Sequence, residues 1–260
     1  MNQTLKGAET YEKTSGLLQQ RYFDVLISSA NVKKGWNILD LGCGTGNGTL
    51  KLANIVGPKG KVIGIDPIAH RIEVAKDKNS ADNIEYHVGF GQNAVEFGKD
   101  TFDLVISGSV LHWNEQKEKE KIFKSVLESL KSGGIFVFSS IKDLNTMNTN
   151  AFFDLVKDKS FKSILHSKFY VSTVDEYVAM ASDAGFVESN GRSEIIRIHF
   201  ENVNSIIELL ASSIHTVGFN EFLNELRAII DDENVDKSFL YDKLGAYQET
   251  EQLFLKCFKQ

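Results

Sequence analysis

Cysteine and proline are scarce in this sequence: the 260-residue chain has only two of each. Cys43 and Cys257 lie far apart, without the paired spacing of a disulfide framework or a zinc site. No apolar run is longer than a strand, so we predict no membrane span. The first twenty residues also lack the apolar core of a secretory signal. These absences favour a protein of a reducing, cytoplasmic compartment with no metal site.

Basic residues are not in excess either, since 29 Lys and Arg face 35 Asp and Glu and the net charge is −6. The charged run 115–121 alternates in sign, and we interpret it as a solvated helix face. Because phosphate neutralisation drives nucleic-acid affinity, we expect no nucleic-acid partner. The length and the 42% apolar content allow one large core, or one core with a small lid. The composition leaves the oligomeric state open.

The most informative segment is 38–48, where a short apolar run ends in Asp40 and passes into a loop with Gly42, Gly44 and Gly46. This pattern predicts a buried strand, a tight turn and a helix that begins near Thr49. Glycine permits a positive φ and lets a ligand approach the backbone closely. The carboxylate before the glycines would repel a phosphate, so it favours a cationic or hydroxyl-bearing ligand.

The spacing excludes two other glycine-rich sites. A dinucleotide fingerprint, Gly-x-Gly-x-x-Gly, requires glycine where the chain has Asn47 or Thr49. A phosphate loop requires Gly-Lys followed by Ser or Thr, which does not occur in this segment. What remains resembles the first motif of the class I S-adenosylmethionine-dependent methyltransferases, in which the acid and the glycines hold the amino-acid end of the cofactor.

Further features follow in the order that this fold requires. A second apolar strand, Lys61–Asp66, ends in an acid, and strand-like segments follow at 83–88, 101–107 and 135–139. The last one is preceded by Leu-Lys-Ser-Gly-Gly, which predicts a helix that ends on glycine. Helical patterns between the strands predict a parallel sheet. The resemblance therefore implies an α/β fold with a doubly wound, mostly parallel, seven-stranded Rossmann-like sheet and a helical cover.

The resemblance also implies the cofactor, S-adenosyl-L-methionine, and its contacts. An acid at the end of the second strand is placed to accept both ribose hydroxyls, and the residues just after it flank the adenine. The loop after the third strand contains no Asp, so Gln92 or Asn93 would have to bind the adenine amino group. The predicted cofactor-binding residues are Asp40, Gly42, Gly44, Gly46, Asp66, Pro67, Ile68, Gly89, Phe90, Gln92, Asn93 and Ser107.

The chain is expected to divide near residue 140 within a single domain. Residues 1–140 would supply an N-terminal helix and the cofactor-binding core. Residues 141–260 would supply a helical substrate cover and two closing strands of the same sheet. We predict helices at 149–165, at 173–185 and over 202–245, and strands at 194–200 and 251–258. In the resembling family the last strand is antiparallel to the rest.

The sharpest indication of the methyl acceptor is Ser-Val-Leu-His-Trp at 109–113, after the fourth strand. This version resembles the trans-aconitate and juvenile hormone acid methyltransferases, which esterify small or lipid-like carboxylic acids. In that group a tryptophan N–H and a glutamine on an N-terminal helix bind the substrate carboxylate. Trp113 fits the first role, and Gln19 or Gln20 fits the second. Further candidates for substrate binding are His112, Arg197 and His215.

The leading hypothesis is methyl transfer to a small-molecule carboxylic acid, which forms a methyl ester. A carboxylate is ionised at neutral pH, so it needs no general base, and no catalytic residue is assigned beyond positioning. One alternative is an amine or hydroxyl acceptor with His112 or His215 as the base. Another is an inactive cofactor-binding protein that acts through protein contacts. Arsenite is disfavoured as acceptor, because it would require a set of thiolates that two cysteines do not provide.

Overall fold

The computed structural model describes residues 20–143, 154–155, 169–207 and 219–260. The principal helices are α1 (residues 20–30), α2 (Asn47–Val56), α3 (Ala69–Lys78), α4 (Gln116–Ser129), α5 (Val174–Ala184) and α6 (Phe219–Asp231). The strands are β1 (Asn37–Leu41), β2 (Lys61–Asp66), β3 (Ile84–Val88), β4 (Phe102–Gly108), β5 (Leu130–Ile141), β6 (Glu188–Phe200), β7 (Tyr241–Asp242) and β8 (Gly245–Phe258). Short 3₁₀ helices lie at Gly91–Phe97, Leu111–Trp113 and Ser238–Leu240.

The strands form one eight-stranded sheet in the order β3-β2-β1-β4-β5-β8-β6, with β7 paired to β8. Strand β1 is parallel to both of its neighbours, so that Leu39 lies opposite Ile63 of β2 and Val105 of β4. Strands β3 and β5 extend the parallel pairing on the two sides. The central strands are almost wholly apolar and buried, as expected when helices cover both faces of a sheet.

The last strand, β8, runs antiparallel to β5. Gly133 N donates to Lys259 O, whereas Lys142 N donates to Glu251 O, so the paired residue numbers change in opposite directions. The structure thus confirms the predicted doubly wound, mostly parallel fold. Because β1 lies between β2 and β4, the chain changes direction at β1, and the loops that follow β1 and β4 leave the same edge of the sheet. Such a switch point is where open α/β sheets bind ligands.

Aromatic side chains dominate the core on the α4 side of the sheet. The ring of Phe123 meets Phe138 edge-on at 5.6 Å and Phe136 at 5.6 Å between centroids. Tyr177 and Phe186 complete this cluster, and all but Phe186 are fully buried. Burying such side chains stabilises the fold by about 1.5–3 kcal/mol each, which fixes α4 and α5 relative to β5.

The chain divides into two compact units. The larger contains residues 19–140, 170–193 and 253–260, and therefore holds β1–β4, nearly all of β5 and the helices α1–α5. The smaller contains residues 1–18, 141–169 and 194–252, and its described part includes α6, β7 and a short helical segment at 203–207. No helix in the described ranges is long and apolar enough to cross a bilayer.

The helix before β5 does not end on glycine as predicted. Helix α4 ends at Ser129, and Leu130 at its C-terminus already has extended backbone angles. Leu130 is fully buried and pairs with Phe102 of β4, so sheet pairing takes this residue out of the helix. Gly133 supplies a positive φ of 76° in the irregular segment that follows. The glycine cap is confirmed at α5, where Gly185 has a φ of 110°.

The predicted helical region 202–245 is wrong beyond residue 231. After α6 the chain turns, forms a 3₁₀ helix and enters β7. Carboxylates set these turns, since Asp232 accepts from Asn234 N and Asp236 accepts from Ser238 N. Strands β6 and β8 also begin six residues earlier than predicted, at Glu188 and Gly245. Most of the predicted helix 149–165 lies outside the described residues, although 154–155 are helical.

Candidate functional site

The turn after β1 has three glycines with positive φ, 78° at Gly42, 57° at Gly44 and 89° at Gly46. A Cβ at Gly42 would overlap the side chain of Val110, and one at Gly46 would lie 2.5 Å from the hydroxyl of Tyr86. A Cβ at Gly44 would meet nothing within 4 Å. The outer two glycines are therefore required by close packing, whereas the backbone of Gly44 faces open space that a ligand can enter.

Asp40 is buried directly beneath this turn. Its carboxylate accepts a hydrogen bond from Thr49 Oγ1 at 2.6 Å. Burial raises the pKa of Asp40 to about 7; the Thr49 bond opposes the rise, and the nearby charge of Asp66 adds to it. A group with that pKa is partly protonated near neutral pH. A cationic ligand at the turn would favour its ionised form.

Asp66, at the end of β2, has both carboxylate oxygens aligned by backbone amides. Oδ2 accepts from Gly44 N at 3.1 Å, and Oδ1 accepts from Ile68 N at 2.9 Å. The guanidinium of Arg71 lies 3.8 Å away. Burial raises the pKa of Asp66, while Arg71 and the two amides oppose the rise. A carboxylate has about four acceptor positions, so each oxygen can still accept one hydroxyl, and the arrangement fits the diol of a ribose.

The segments that would flank an adenine lie beside this carboxylate. Pro67 is exposed and Ile68 half-buried after β2. Gly89 N donates to the carbonyl of Asp66, which ties the loop after β3 to the end of β2. Phe90, in that loop, leaves 53% of its surface exposed. An exposed aromatic ring next to a carboxylate that retains acceptor positions suits a planar base.

Of the two amide side chains in the β3 loop, Asn93 already has a partner. It donates to Glu96 Oε1 at 2.5 Å. Gln92 is half-buried, and the hydrogen bonds of the described residues include none from its side chain. Gln92 is therefore the better candidate for contact with an adenine amino group. Ser107 is fully buried and donates to Leu41 O at 3.0 Å, so its hydroxyl joins the ends of β4 and β1.

The second part of the site is the turn after β4, residues 109–113, which we call the acceptor turn. Ser109 has a positive φ of 57°, unusual for a residue other than glycine, and its amide donates to Ser139 O. Such strain persists only where the surrounding structure enforces it, and it often accompanies functional sites. Val110 of this turn is the residue that packs on Gly42. The acceptor turn and the glycine turn are therefore in direct contact.

Within the acceptor turn, His112 is buried and Trp113 half-buried, with their rings 5.4 Å apart. Imidazole Nδ1 of His112 lies 3.5 Å from Ser140 Oγ. Burial, and to a lesser degree the charge of Lys119, lowers the pKa of His112 to about 3. The imidazole is therefore neutral at physiological pH and is a weak base.

Of the remaining predicted substrate-binding residues, the structure describes Gln20 and Arg197. Gln19 and His215 lie outside the described residues, and Gln20 is exposed on α1. Arg197 belongs to the smaller unit, where its guanidinium bonds Glu249 at 2.6 Å and Asp242 at 3.1 Å. Two carboxylates already compensate its charge, so it is poorly suited to an anionic substrate.

The sequence analysis missed Thr49 and Lys119. Thr49 is fully buried on the first turn of α2 and is the hydrogen-bond donor to Asp40. Lys119 was assigned to a solvated face, yet it is only 1% exposed. The signal was present, because Ile122, Phe123 and Val126 follow it at helical spacing and place it on the apolar face of α4. No described group of three or more His, Cys, Asp or Glu could hold a metal ion.

Comparisons with known protein families and with individual proteins agree on one family. Residues 32–185, more than half of the chain, match the family model described as "Methyltransferase domain". Demethylmenaquinone methyltransferase from Lactococcus lactis subsp. lactis is 35% identical over 132 residues, which cover 48% of this chain and 51% of that protein. Arsenite methyltransferase from Halobacterium salinarum is 33% identical over 161 residues, 60% of this chain and 39% of that protein. The chain thus spans about half or less of the length of these relatives.

Among solved structures, phosphoethanolamine N-methyltransferase 2 from Haemonchus contortus, in complex with S-adenosyl-L-methionine, has a similar fold. Its TM-score is 0.62 at 18% identity, and the alignment covers 99% of this chain and 58% of that one. At this identity the likeness concerns the fold alone.

Proposed function

The chain belongs to the methyltransferase-domain family, and on that premise we propose that it transfers the methyl group of S-adenosylmethionine to the carboxylate of a small-molecule acid. The product would be a methyl ester. The observation that carries the choice of acceptor is the buried, neutral His112 beside Trp113 in the acceptor turn. An acceptor that needs no general base suits this surrounding, and a carboxylate is such an acceptor.

On the cofactor side, the proposal assigns one role to each carboxylate. Asp66 would bind the ribose hydroxyls, because both of its oxygens are fixed by amides and retain acceptor positions. Asp40 would stabilise the cationic amino-acid end from beneath the turn, and the backbone of Gly44 would allow its close approach. Phe90 and Gln92 would flank the adenine. S-adenosylmethionine supplies an activated methyl group, so the protein has chiefly to hold an acceptor in line with it.

On the acceptor side, Trp113 would donate its indole N–H to the substrate carboxylate. A neutral donor orients the anion without stabilising its charge so strongly that the attacking oxygen becomes unreactive. A glutamine at 19 or 20 would supply a second neutral donor. The resemblance to acid methyltransferases in the Leu-His-Trp sequence supports the same assignment.

A second candidate is a quinone-type acceptor that is methylated at a ring carbon. Relatives named demethylmenaquinone methyltransferase and ubiquinone/menaquinone biosynthesis C-methyltransferase favour it. The low pKa of His112 speaks against this residue as the base that a hydroxyl or amine acceptor would need. Arsenite is a weaker candidate, although relatives bear that name, because burial holds the pKa of the Cys43 thiol well above its usual value and Cys257 is fully buried.

Titration calorimetry tests the proposal in two steps. S-adenosylhomocysteine is titrated first, and a panel of carboxylic acids, amines and reduced quinones is then added to the complex. We expect the cofactor product to bind and at least one acid to bind in its presence, with a methyl ester detected by mass spectrometry when S-adenosylmethionine is supplied. Absence of cofactor binding contradicts methyl transfer altogether and favours a protein that acts through contacts. Methylation of an amine or a quinone instead contradicts only the choice of acceptor.

The donor role of Trp113 has its own test. Trp113→Phe keeps an aromatic ring but removes the N–H, so kcat/KM for the acid should fall about 10- to 100-fold, as for a lost hydrogen bond to a charged group. Affinity for S-adenosylhomocysteine should not change. Trp36→Phe is the matched control, since Trp36 precedes β1 at the opposite edge of the sheet. Equal activity of the two variants contradicts the donor role.

A further inference from the structure

Lys119 is a buried cation that the proposed chemistry does not use. It lies on the first turns of α4 and ranks among the largest fully buried side chains of the described residues. Burial lowers the pKa of Lys119 to about 8. Removing an ammonium group from water is costly unless its hydrogens are bonded. Because this desolvation cost is not needed to fill space, we expect the role of Lys119 to lie in the contacts that its ammonium group makes.

The contacts of Lys119 are with neutral groups. Its Nζ donates to the carbonyl of Tyr170 and, at 2.8 Å, to Ser172 Oγ. It also lies 5.3 Å from the centroid of the Tyr177 ring, a cation–π distance. Among the described residues no carboxylate forms an ion pair with it, and Glu176 acts only at longer range. The ammonium group thus binds residues 170–172, which we call the strap, to α4.

The strap is bonded in turn to the acceptor turn. Tyr170 N donates to His112 O at 2.7 Å, next to Trp113. A second route uses side chains, since the hydroxyl of Tyr177 lies 2.9 Å from Ser140 Oγ, which lies 3.5 Å from His112 Nδ1. Both routes start at groups in contact with Lys119 and end at His112. Lys119 therefore supports both the backbone and the imidazole of His112, each through intermediate residues.

We propose that Lys119 is a positioning residue, which holds the acceptor turn through the strap and through the Tyr177–Ser140 pair and thereby sets where Trp113 presents its N–H. The importance of this position for catalysis rests on the function proposed above, whereas the mechanical link itself does not. Lysine suits the task because its three donors diverge and can bind a carbonyl, a hydroxyl and an aromatic face at once. A methionine of similar length would fill the same space without any of these bonds.

A readout that needs no substrate is available, because the chain has only two tryptophans, Trp36 and Trp113. In a Trp36→Phe background the fluorescence comes from Trp113 alone. Lys119→Met should then raise the acrylamide quenching constant of Trp113 about two-fold, as hydrogen bonds that fix the turn are lost. Lys121→Met is the matched control, being the same substitution at an exposed position of the same helix. It should leave the quenching unchanged.

Kinetics and binding complete the test. Lys119→Met should lower kcat/KM for the acceptor about ten-fold through misplacement of Trp113, with affinity for S-adenosylhomocysteine unchanged. A folded Lys119→Met protein in which the quenching of Trp113 is that of the control overturns the proposal. If that variant does not fold, Ser172→Ala, which removes one acceptor of the ammonium group, is measured in the same way, and unchanged quenching again overturns it. Failure to find an acid substrate leaves the fluorescence result decisive, so the two proposals fail separately.

Discussion

A single residue, Asp40, combines a structural cost with the binding role that we propose for it. Asp40 is only 1% exposed, and its carboxylate accepts a hydrogen bond from the neutral hydroxyl of Thr49. Burial therefore outweighs this bond and raises the pKa to about 7. A cofactor with a cationic end would supply the missing charge compensation. In the empty protein this carboxylate is costly to ionise, and the attraction of a bound cation would offset that cost.

The stability of the cofactor-free protein should show this cost directly. The pKa of Asp40 is about 7 in the folded state against 3.8 ordinarily. The stability that protonated Asp40 contributes is therefore complete below pH 3.8 and is lost as the pH rises through about 7, a change of about 4 kcal/mol. Asp40→Asn removes this titration and keeps an oxygen for Thr49. We expect the unfolding free energy of the parent to fall relative to that of the variant as the pH increases. Urea unfolding between about pH 4.5 and 7.5 measures this difference.

The control for this experiment is Asp77→Asn, at an exposed position on α3. The unfolding free energy of this control should differ little from that of the parent protein at every pH, as for most surface substitutions. A difference between Asp40→Asn and the parent that does not change with pH would mean that Asp40 is solvated and ionised as in the unfolded chain.

At Asp66 the expected effect is on cofactor affinity. Asp66→Ala removes both oxygens that face Gly44 and Ile68 and leaves Arg71 without its carboxylate. Loss of two hydrogen bonds from hydroxyls to a charged group should weaken the binding of S-adenosylhomocysteine by about 1–3 kcal/mol, which is about 5- to 150-fold. Titration calorimetry measures it, with exposed Asp82→Ala as the control. Equal affinities of the two variants would show that the end of β2 does not bind the ribose.

Residue types in a fixed spacing predicted Asp40, Asp66 and the glycines, because strand ends and positive φ angles constrain the sequence locally. The helical spacing of Lys119 with the apolar residues after it indicates its burial, but its partners could not be predicted in the same way. Its hydrogen-bond acceptors, Tyr170 and Ser172, are more than fifty residues further along the chain. Long-range contacts of this kind decide pKa values but leave little local pattern.

At the scale of the elements, the C-terminus of α5 was predicted correctly from the sequence and that of α4 was not. Gly185 closes α5 because the left-handed conformation is required within the helix terminus itself. At α4 the competing interaction is non-local, since pairing of Leu130 with Phe102 ends the helix before its glycines. Local sequence rules therefore hold where no neighbouring strand competes for the same backbone groups.

The N-terminus of α5 gives an element-scale prediction. Thr173 Oγ1 accepts from Glu176 N at 3.2 Å, and Thr173 N donates to Glu176 Oε2 at 2.7 Å, a reciprocal capping box. Thr173→Ala removes the hydroxyl and should lower the unfolding free energy by about 1 kcal/mol, measured by urea unfolding. Asp175→Ala, in the same first turn, loses only a favourable charge near the helix dipole and should cost less. An equal cost for both variants would assign the effect to helix charge instead of the cap.

At the scale of the whole molecule, the doubly wound, mostly parallel sheet was predictable and the region beyond β5 was only partly so. The parallel sheet followed from the alternating strand and helix patterns. Beyond β5, no comparable rule fixes turns such as those at Asp232 and Asp236, and the helical pattern of α6 was extended too far. The match of residues 32–185 to the family model ends at the close of α5. The acceptor must therefore be identified by chemistry.

The pH dependence of turnover makes that identification. A carboxylic acid acceptor has a pKa of about 4, and His112, with a pKa of about 3, stays neutral, so neither titrates between about pH 5 and 7. Asp40 does titrate there, but saturating S-adenosylmethionine removes its effect on cofactor binding. We expect kcat with saturating acid to vary less than about two-fold over this range, whereas a base-dependent hydroxyl or amine acceptor should lose about ten-fold per pH unit below the governing pKa. Repeating the profile with Asp40→Asn separates the two origins of a pH dependence. A slope that vanishes in this variant comes from Asp40 beneath the glycine turn, and a slope that persists comes from the acceptor. A steep profile that persists would replace the carboxylic acid with an acceptor that must lose a proton.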